Sequence, residues 1–244
     1  MAIAWFRTRP LTACAALALI ALVAEQQMAA MIWPWPHDWV MYQLRLPIFS
    51  YEYRDRADEL LRVESHTGDA TDAWLGDSLV EALDCTRLTP SCLNLGISGD
   101  TVFGVLHRVD SYRSLARATR VFLLMGHNDL GRTTDVSYIA GLYAKVLGAI
   151  PAGPQLVCHA VLPVDERATD QRTNRDIAAL NVAIRATCER EPRARYLDLT
   201  EMFVDATGNL RADLHIGDGV HLNAAGNRVW ISALRESRVA GAMP

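Results

Sequence analysis

The chain has 244 residues, half of them hydrophobic and 21% charged, with a formal net charge of −4. That length and composition supply one sizeable apolar core. The mild acidity and the absence of a basic stripe argue against nucleic acid as a partner, and no internal repeat or low-complexity tract is present.

In chain order, the first element is different in kind from the rest. Arg7 and Arg9 precede an apolar run from Leu11 to Ala24, and no acidic residue occurs before Glu25. A positive flank followed by an apolar core of this kind is an export signal. The run is shorter than the roughly 20 residues of a full span, but Trp33, Trp35 and Trp39 follow it, as in an interfacial aromatic belt. Leu22 and Met28 are too large for a good small-x-small cleavage site. Residues 1–32 are therefore expected to be an uncleaved membrane anchor or a cleaved signal peptide, with a buried structural helix as the remaining alternative. Either of the first two places the bulk of the chain outside the cytoplasm, in a periplasmic compartment, with membrane association through residues 11–32. Residues 33–50, rich in Pro and Trp, read as a juxtamembrane linker, and residues 51–240 as the functional domain.

From Tyr51 to Val63 the chain is charged and helical, with Leu60 and Leu61 as its apolar contact. Strands and helices then alternate. Short apolar runs occur at Ala73–Leu75, Leu93–Leu95, Val121–Met125, Leu156–Leu162 and Tyr196–Leu199, several of them nearly continuous in Val, Leu and Ile, as strands buried on both faces should be. Helical patterns follow: "VEALD", "VFGVLHRVDSYRSLA", "SYIAGLYAKVLGAI" with Ile139, Leu142, Val146 and Ile150 on one stripe, "TNRDIAALNVAIRATC" with Ile177, Leu180 and Ile184 on another, and "AAGNRVWISALRES". This alternation implies an α/β fold with a parallel sheet covered on both sides. Cys85 and Cys92 flank a turn-rich segment and could bridge in an exported protein. Cys158 lies in an apolar run and reads as a small buried hydrophobe.

Ligand sites in such sheets lie beyond the carboxyl ends of the strands. Gly76-Asp77-Ser78-Leu79 follows the first strand, Gly96-Ile97-Ser98-Gly99-Asp100-Thr101 the second and Gly126-His127-Asn128-Asp129 the third, while Asp218-Gly219-Val220-His221 precedes the final helix. Taken singly, each cluster is an ordinary helix cap or tight turn. Together they form a chemical set. A serine hydroxyl needs a base to become nucleophilic. His221 can be that base, and Asp218 can hold its other ring nitrogen. Ester attack creates an oxyanion that needs preorganised donors, which the backbone N–H groups of Ser78 and Gly99 and the side-chain amide of Asn128 can supply.

These blocks, "GDSL" at 76–79, "GISGDT" at 96–101, "GHND" at 126–129 and "DGVHLN" at 218–223, resemble those of the SGNH hydrolases, also called GDSL esterases and lipases. The resemblance covers Asp72 to the C-terminus. It implies a flavodoxin-like three-layer α/β/α sandwich on a five-stranded parallel sheet. It also implies Ser78 as nucleophile, Asp218 and His221 as its triad partners, Ser78, Gly99 and Asn128 as the oxyanion hole, and no metal or organic cofactor. His127 fills the variable place of its block, and Leu222 stands where many relatives carry proline after the histidine. Asp77 and Asp129 are expected to pin loops through backbone hydrogen bonds, Asp100 or Thr101 to cap one helix and Asn223 the last. His107, His159 and His215 read as surface or satisfied core histidines, and Phe103 as pocket lining or core.

The expected function is an exported serine esterase acting through an acyl-enzyme. Its substrate would be a small-molecule, lipid or glycan ester, of short-acyl (for example O-acetyl) or lysophospholipid type. An O-acyltransferase acting on an envelope glycan, a metal-assisted hydrolase using Asp218 and His221 as ligands, and a non-catalytic binding module are the alternatives. The loops Asp129–Ser137, Pro163–Thr173 and Asp205–Gly217 should shape the pocket. They contain no Trp or Tyr, which disfavours an aromatic sugar platform and a long greasy channel alike.

Overall fold

The computed structural model describes residues 51–66, 68, 70–169 and 172–239. The expected signal or anchor and the linker lie outside these residues. Among the described residues no helix is long and apolar enough to cross a membrane.

The five apolar runs form one sheet. Strands β1 (Asp72–Gly76), β2 (Cys92–Gly96), β3 (Arg120–Leu124), β4 (Gln155–His159) and β5 (Ala194–Leu197) are all parallel, in the order β2-β1-β3-β4-β5. This is the flavodoxin-like order, and its direction of winding reverses between β1 and β3, the place where such sheets bind ligands. Helix α1 (Tyr51–His66) precedes the sheet. The one-turn helix α2 (Ser78–Glu81), α3 (Val102–Arg108), the one-turn α4 (His127–Leu130), α5 (Val136–Ala149), α6 (Asn174–Cys188) and α7 (Ala224–Val239) follow in turn.

The longer helices have the expected apolar stripes and side-chain caps. Asp135 accepts from Tyr138 N at the start of α5, which buries Ile139, Leu142 and Val146. Thr173 accepts from Asp176 N at the start of α6, which buries Ile177, Leu180 and Ile184. Asn223 accepts from the N–H groups of Ala225 and Gly226 and so caps α7. Each such cap satisfies backbone donors that the helix leaves unpaired.

Several boundaries differ from the sequence expectation; the "VEALD" helix, for one, is the single turn Ser78–Glu81. The fourth run leaves the sheet at His159 rather than Leu162, because the Asn181 amide takes over the backbone of Val161: its Oδ1 accepts from Val161 N and its Nδ2 donates to Val161 O. The last strand lies earlier than the apolar run at Tyr196–Leu199. It is an edge strand with Ala194 and Leu197 buried and Arg195 exposed, and Leu199 has already left extended geometry. The helix expected from Val102 to Ala116 ends at Arg108 and continues as two 3₁₀ turns separated at Tyr112, whose backbone is extended. There the Glu64 carboxylate of α1 accepts from Ser114 N, so a tertiary contact replaces a helical one.

The core below the sheet is built on tryptophan. Trp74 stacks on Phe122 with ring centroids 4.2 Å apart, and Trp230 meets Trp74 edge-on at 5.8 Å. The Trp230 indole donates to His159 Nε2 at 3.0 Å, and His159 Nδ1 donates to its neighbour's carbonyl, Ala160 O, at 2.7 Å. Burial pushes the His159 imidazole down to about 4, so it is neutral and in the one tautomer that satisfies both contacts. His159 is thus a satisfied core histidine. Cys85 and Cys92 are joined in a disulfide, and Cys158 and Cys188 are buried thiols.

Replacing His159 with Leu leaves the Trp230 indole N–H unpaired in the core. Urea unfolding should show a loss of about 1–3 kcal/mol, the cost of an unsatisfied buried donor, and the added change Trp230→Phe should cost less in that background than alone.

Candidate active site

The site begins where β1 stops. Gly76 pairs in register with Gly96 of β2 and Leu124 of β3, so the three strands end level. A Cβ on Gly76 would lie 2.0 Å from Leu124 O, and one on Gly96 would lie 2.3 Å from Glu81 N. No side chain fits at either place, and the backbone of α2 packs directly on the strand ends. Asp77 then caps α2 by accepting from Leu79 N at 3.0 Å. A single helical turn leaves carbonyls without partners. Here Asn94 of β2 reinforces the end of the turn, its Nδ2 donating to Val80 O at 2.6 Å and Leu83 O at 2.8 Å.

Ser78, the first residue of α2, is half-buried. Its Oγ lies 2.8 Å from His221 Nε2, across 143 residues of sequence. His221 Nδ1 lies 2.5 Å from Asp218 Oδ2, and Asp218 Oδ1 accepts from Val220 N and His221 N. Burial acts against ionisation of Asp218, but these N–H groups and the imidazole outweigh it and hold the carboxyl below its usual range. A hydroxyl bonded to an imidazole whose far nitrogen is held by a carboxylate is an arrangement able to give up its proton.

The loop carrying Asp218 is fixed from beneath. His215 Nδ1 accepts from Gly217 N at 3.0 Å and Gly219 N at 3.1 Å, and Asp165 N donates to Gly219 O at 2.8 Å. Gly219 has φ +76°, and a Cβ there would lie 2.7 Å from Asp165 O, so this turn requires glycine. Asn223 Nδ2 donates to Asp213 O and His215 O. Leu222, the departure from the family pattern, is buried and bridges antiparallel to His215.

On the other side of Ser78 lies the loop after β2. Gly99 is exposed with φ +76° and nothing within 4 Å of a Cβ position, so its backbone stands open to an incoming group. Asn128, half-buried on α4, donates from Nδ2 to Asp100 O at 2.9 Å, which brings the two expected donors, Gly99 and Asn128, within one contact of each other. Glu81 of α2 ties the same loop to the serine's own helix by accepting from Ser98 N at 2.5 Å. Arg108 donates to Asp100 Oδ2 at 2.8 Å and to Gly76 O at 3.2 Å, joining that loop to the end of β1. Thr101, not Asp100, caps α3.

Asp77 and Asp129 are buried, and each pins one backbone N–H. Asp129 Oδ2 accepts from Val102 N at 3.0 Å, as Asp77 does from Leu79 N. Among the described residues the second oxygen of each has no hydrogen-bond partner. Burial pushes both carboxyls up to about 7. His127 is also buried, and burial, with the nearby Arg172 cation, pushes it down to about 3. His107 is exposed and Phe103 half-buried on α3. Among the described residues no group of three His, Cys, Asp or Glu side chains is placed to hold a metal ion.

Sequence reasoning missed Glu81, Arg108 and Arg172 and gave His215 no role at the site. Arg172 donates from Nε to His127 O at 2.7 Å and from Nη2 to Asn128 Oδ1 at 3.3 Å. Its only sequence signal is its place in the Pro163–Thr173 loop, expected to border the pocket.

Comparison with known proteins places the family and the fold. A model of the GDSL-like lipase/acylhydrolase family matches residues 51–229. A Streptococcus pneumonia protein provisionally described as a platelet activating factor has a similar structure, with a TM-score of 0.71, 20% identity, and coverage of 76% of this chain and 92% of that one. A GDSL-like lipase from Bacteroides thetaiotaomicron has a TM-score of 0.62 at 18% identity, covering 76% of this chain and 98% of its own. An acetylxylan esterase from Geobacillus stearothermophilus has a TM-score of 0.56 at 17% identity, covering 70% and 94%. At these identities the likeness is one of fold. Comparison with curated proteins gave no match.

The raised carboxyls have a consequence for stability. Between 3.8, the ordinary aspartate value, and about 7, folded Asp129 keeps a proton that the unfolded chain has lost. Its contribution is therefore fully present below the lower value and is lost as pH rises through the upper one. In Asp129→Asn this contribution no longer titrates. Thermal melts at about pH 5 and pH 8 should show a smaller pH-driven loss of Tm in the variant than in the parent.

Proposed function

Because the chain belongs to the GDSL-like lipase/acylhydrolase family, the SGNH hydrolases, and is accordingly an esterase or acylhydrolase, we propose that it cleaves a carboxylic ester through an acyl-enzyme formed on Ser78. The observation that carries this reading is the unbroken chain of contacts from Ser78 Oγ through His221 to Asp218. As Ser78 Oγ attacks the ester carbonyl, its proton passes to His221 Nε2. Asp218 keeps Nδ1 as the donor and stabilises the imidazolium. The negative charge that forms on the carbonyl oxygen is met by the N–H groups of Ser78 and Gly99 and by Asn128 Nδ2. His221 then protonates the departing alcohol. Water, deprotonated by the same nitrogen, attacks the acyl-serine and releases the acid. Asp77 and Asp129 hold the backbone on which the donors are mounted and do not touch substrate.

The substrate proposed is a short-acyl ester, for example an O-acetyl group on a glycan. The polar loops around the site and the fold shared with an acetylxylan esterase support it. Acyl transfer to a second hydroxyl in place of water uses the same groups. The protein is proposed to act outside the cytoplasm. Arg7, Arg9 and the apolar run after them support export, and so does the Cys85–Cys92 disulfide, since such bridges persist in oxidising compartments.

Ser78→Ala should keep its fold by circular dichroism and lose turnover of an aryl acetate by roughly 10⁴-fold or more. Retention of the parent rate would remove Ser78 from the mechanism. With the parent protein, an ester series from acetate to long acyl chains should fall sharply beyond acetate. A rise with chain length would point to a lipid ester.

A further inference from the structure

We propose that Arg172 is a positioning residue that holds the Asn128 amide with its free N–H toward the oxyanion; the proposal rests on the Ser78 esterase reading. A side-chain amide has one acceptor oxygen and two N–H donors on its nitrogen. At Asn128 the oxygen accepts from Arg172 Nη2 at 3.3 Å, and one N–H donates to Asp100 O at 2.9 Å. One N–H remains. The guanidinium is itself oriented, because its Nε donates to His127 O at 2.7 Å. Arg172 thus grips the main chain of one residue and the side chain of the next. The next residue, Thr173, is the cap of α6.

Turning the amide by 180° would reverse all three contacts. The NH₂ group would face the guanidinium, donor against donor. The oxygen would face the Asp100 carbonyl, acceptor against acceptor. An oxygen would also point where the developing oxyanion needs a donor. Arg172 and Asp100 therefore select the one orientation that stabilises the transition state. The cation at Oδ1 also draws electron density from the amide, so the remaining N–H becomes a stronger donor. The contact spans 44 residues and joins α4 to the loop before α6, so the donor depends on a segment that carries no motif of its own.

The test is a double-mutant cycle on the full-length protein with an aryl acetate substrate. Arg172→Ala should lower kcat by about tenfold to a hundredfold, short of the roughly 10²–10³-fold cost of deleting an oxyanion donor, with KM little changed. In an Asn128→Ala background the same change should cost less than about twofold, because there is no amide left to orient. Free guanidinium should restore part of kcat to Arg172→Ala and none to the double variant. Equal losses in both backgrounds, or a rise in KM with kcat unchanged, would overturn the proposal. If Arg172→Ala does not fold, Arg172→Gln, checked by its thermal melt, takes its place in the same cycle with the same two outcomes. The failures are separable. Full activity of Ser78→Ala defeats the esterase reading, whereas an additive cycle in an enzyme that needs Ser78 defeats only the role of Arg172.

Discussion

The carboxyl end of β1 has no room for a side chain, and the site is arranged around that fact. With Gly76 against the Leu124 carbonyl and Gly96 against the backbone of α2, the helix that carries Ser78 sits directly on the ends of β1 and β2. Any Cβ at Gly76 would drive β1 from β3 at the switch point of the sheet. The glycine of the "GDSL" block is therefore a packing requirement, and the placing of the serine follows from it.

Three buried aspartates continue the arrangement around the rim, one in each strand-exit segment. Asp77 accepts from Leu79 N, Asp100 from Thr101 N and Asp129 from Val102 N. Each holds a backbone turn that carries or adjoins a group of the site. The cost is desolvation of three neighbouring carboxyl groups, all with raised pKa. Arg108 offsets it at Asp100 through a direct ion pair, and the Arg172 and Arg132 cations act more weakly on Asp77 and Asp129. Such crowding of buried titratable groups is characteristic of functional sites. Asp77 and Asp129 each still accept one backbone hydrogen bond.

Much of this was legible in the sequence because the signals are local. Buried strands are runs of apolar residues, and strand exits are Gly, Ser, Asp and Asn, so the sheet, its class and the four polar clusters could be read directly. Where local pattern and tertiary contact compete, the tertiary contact sets the boundary. Asn181 ended β4 early by substituting a side-chain amide for a neighbouring strand, and Glu64 of α1 broke the helix after β2. Edge strand β5 was displaced toward the apolar Leu197–Leu199 because half of an edge strand is polar. Arg172, Glu81 and His215 act through contacts to backbone or amide groups distant in sequence, and a lone Arg, Glu or His in a loop announces none of these. Whether Cys85 and Cys92 bridge is left open by the sequence, because it depends on how the segments after α2 and before β2 lie against each other.

The central claim is that the fold activates one serine hydroxyl and mounts it where an ester can reach it. The most direct measurement is covalent labelling of the native full-length protein with a fluorophosphonate, followed by peptide mapping. The account predicts one label per chain, on Ser78, formed in the folded protein, lost on unfolding, and strongly slowed in His221→Ala. Label on another residue, or no label on Ser78 in a folded sample that still hydrolyses esters, would contradict it.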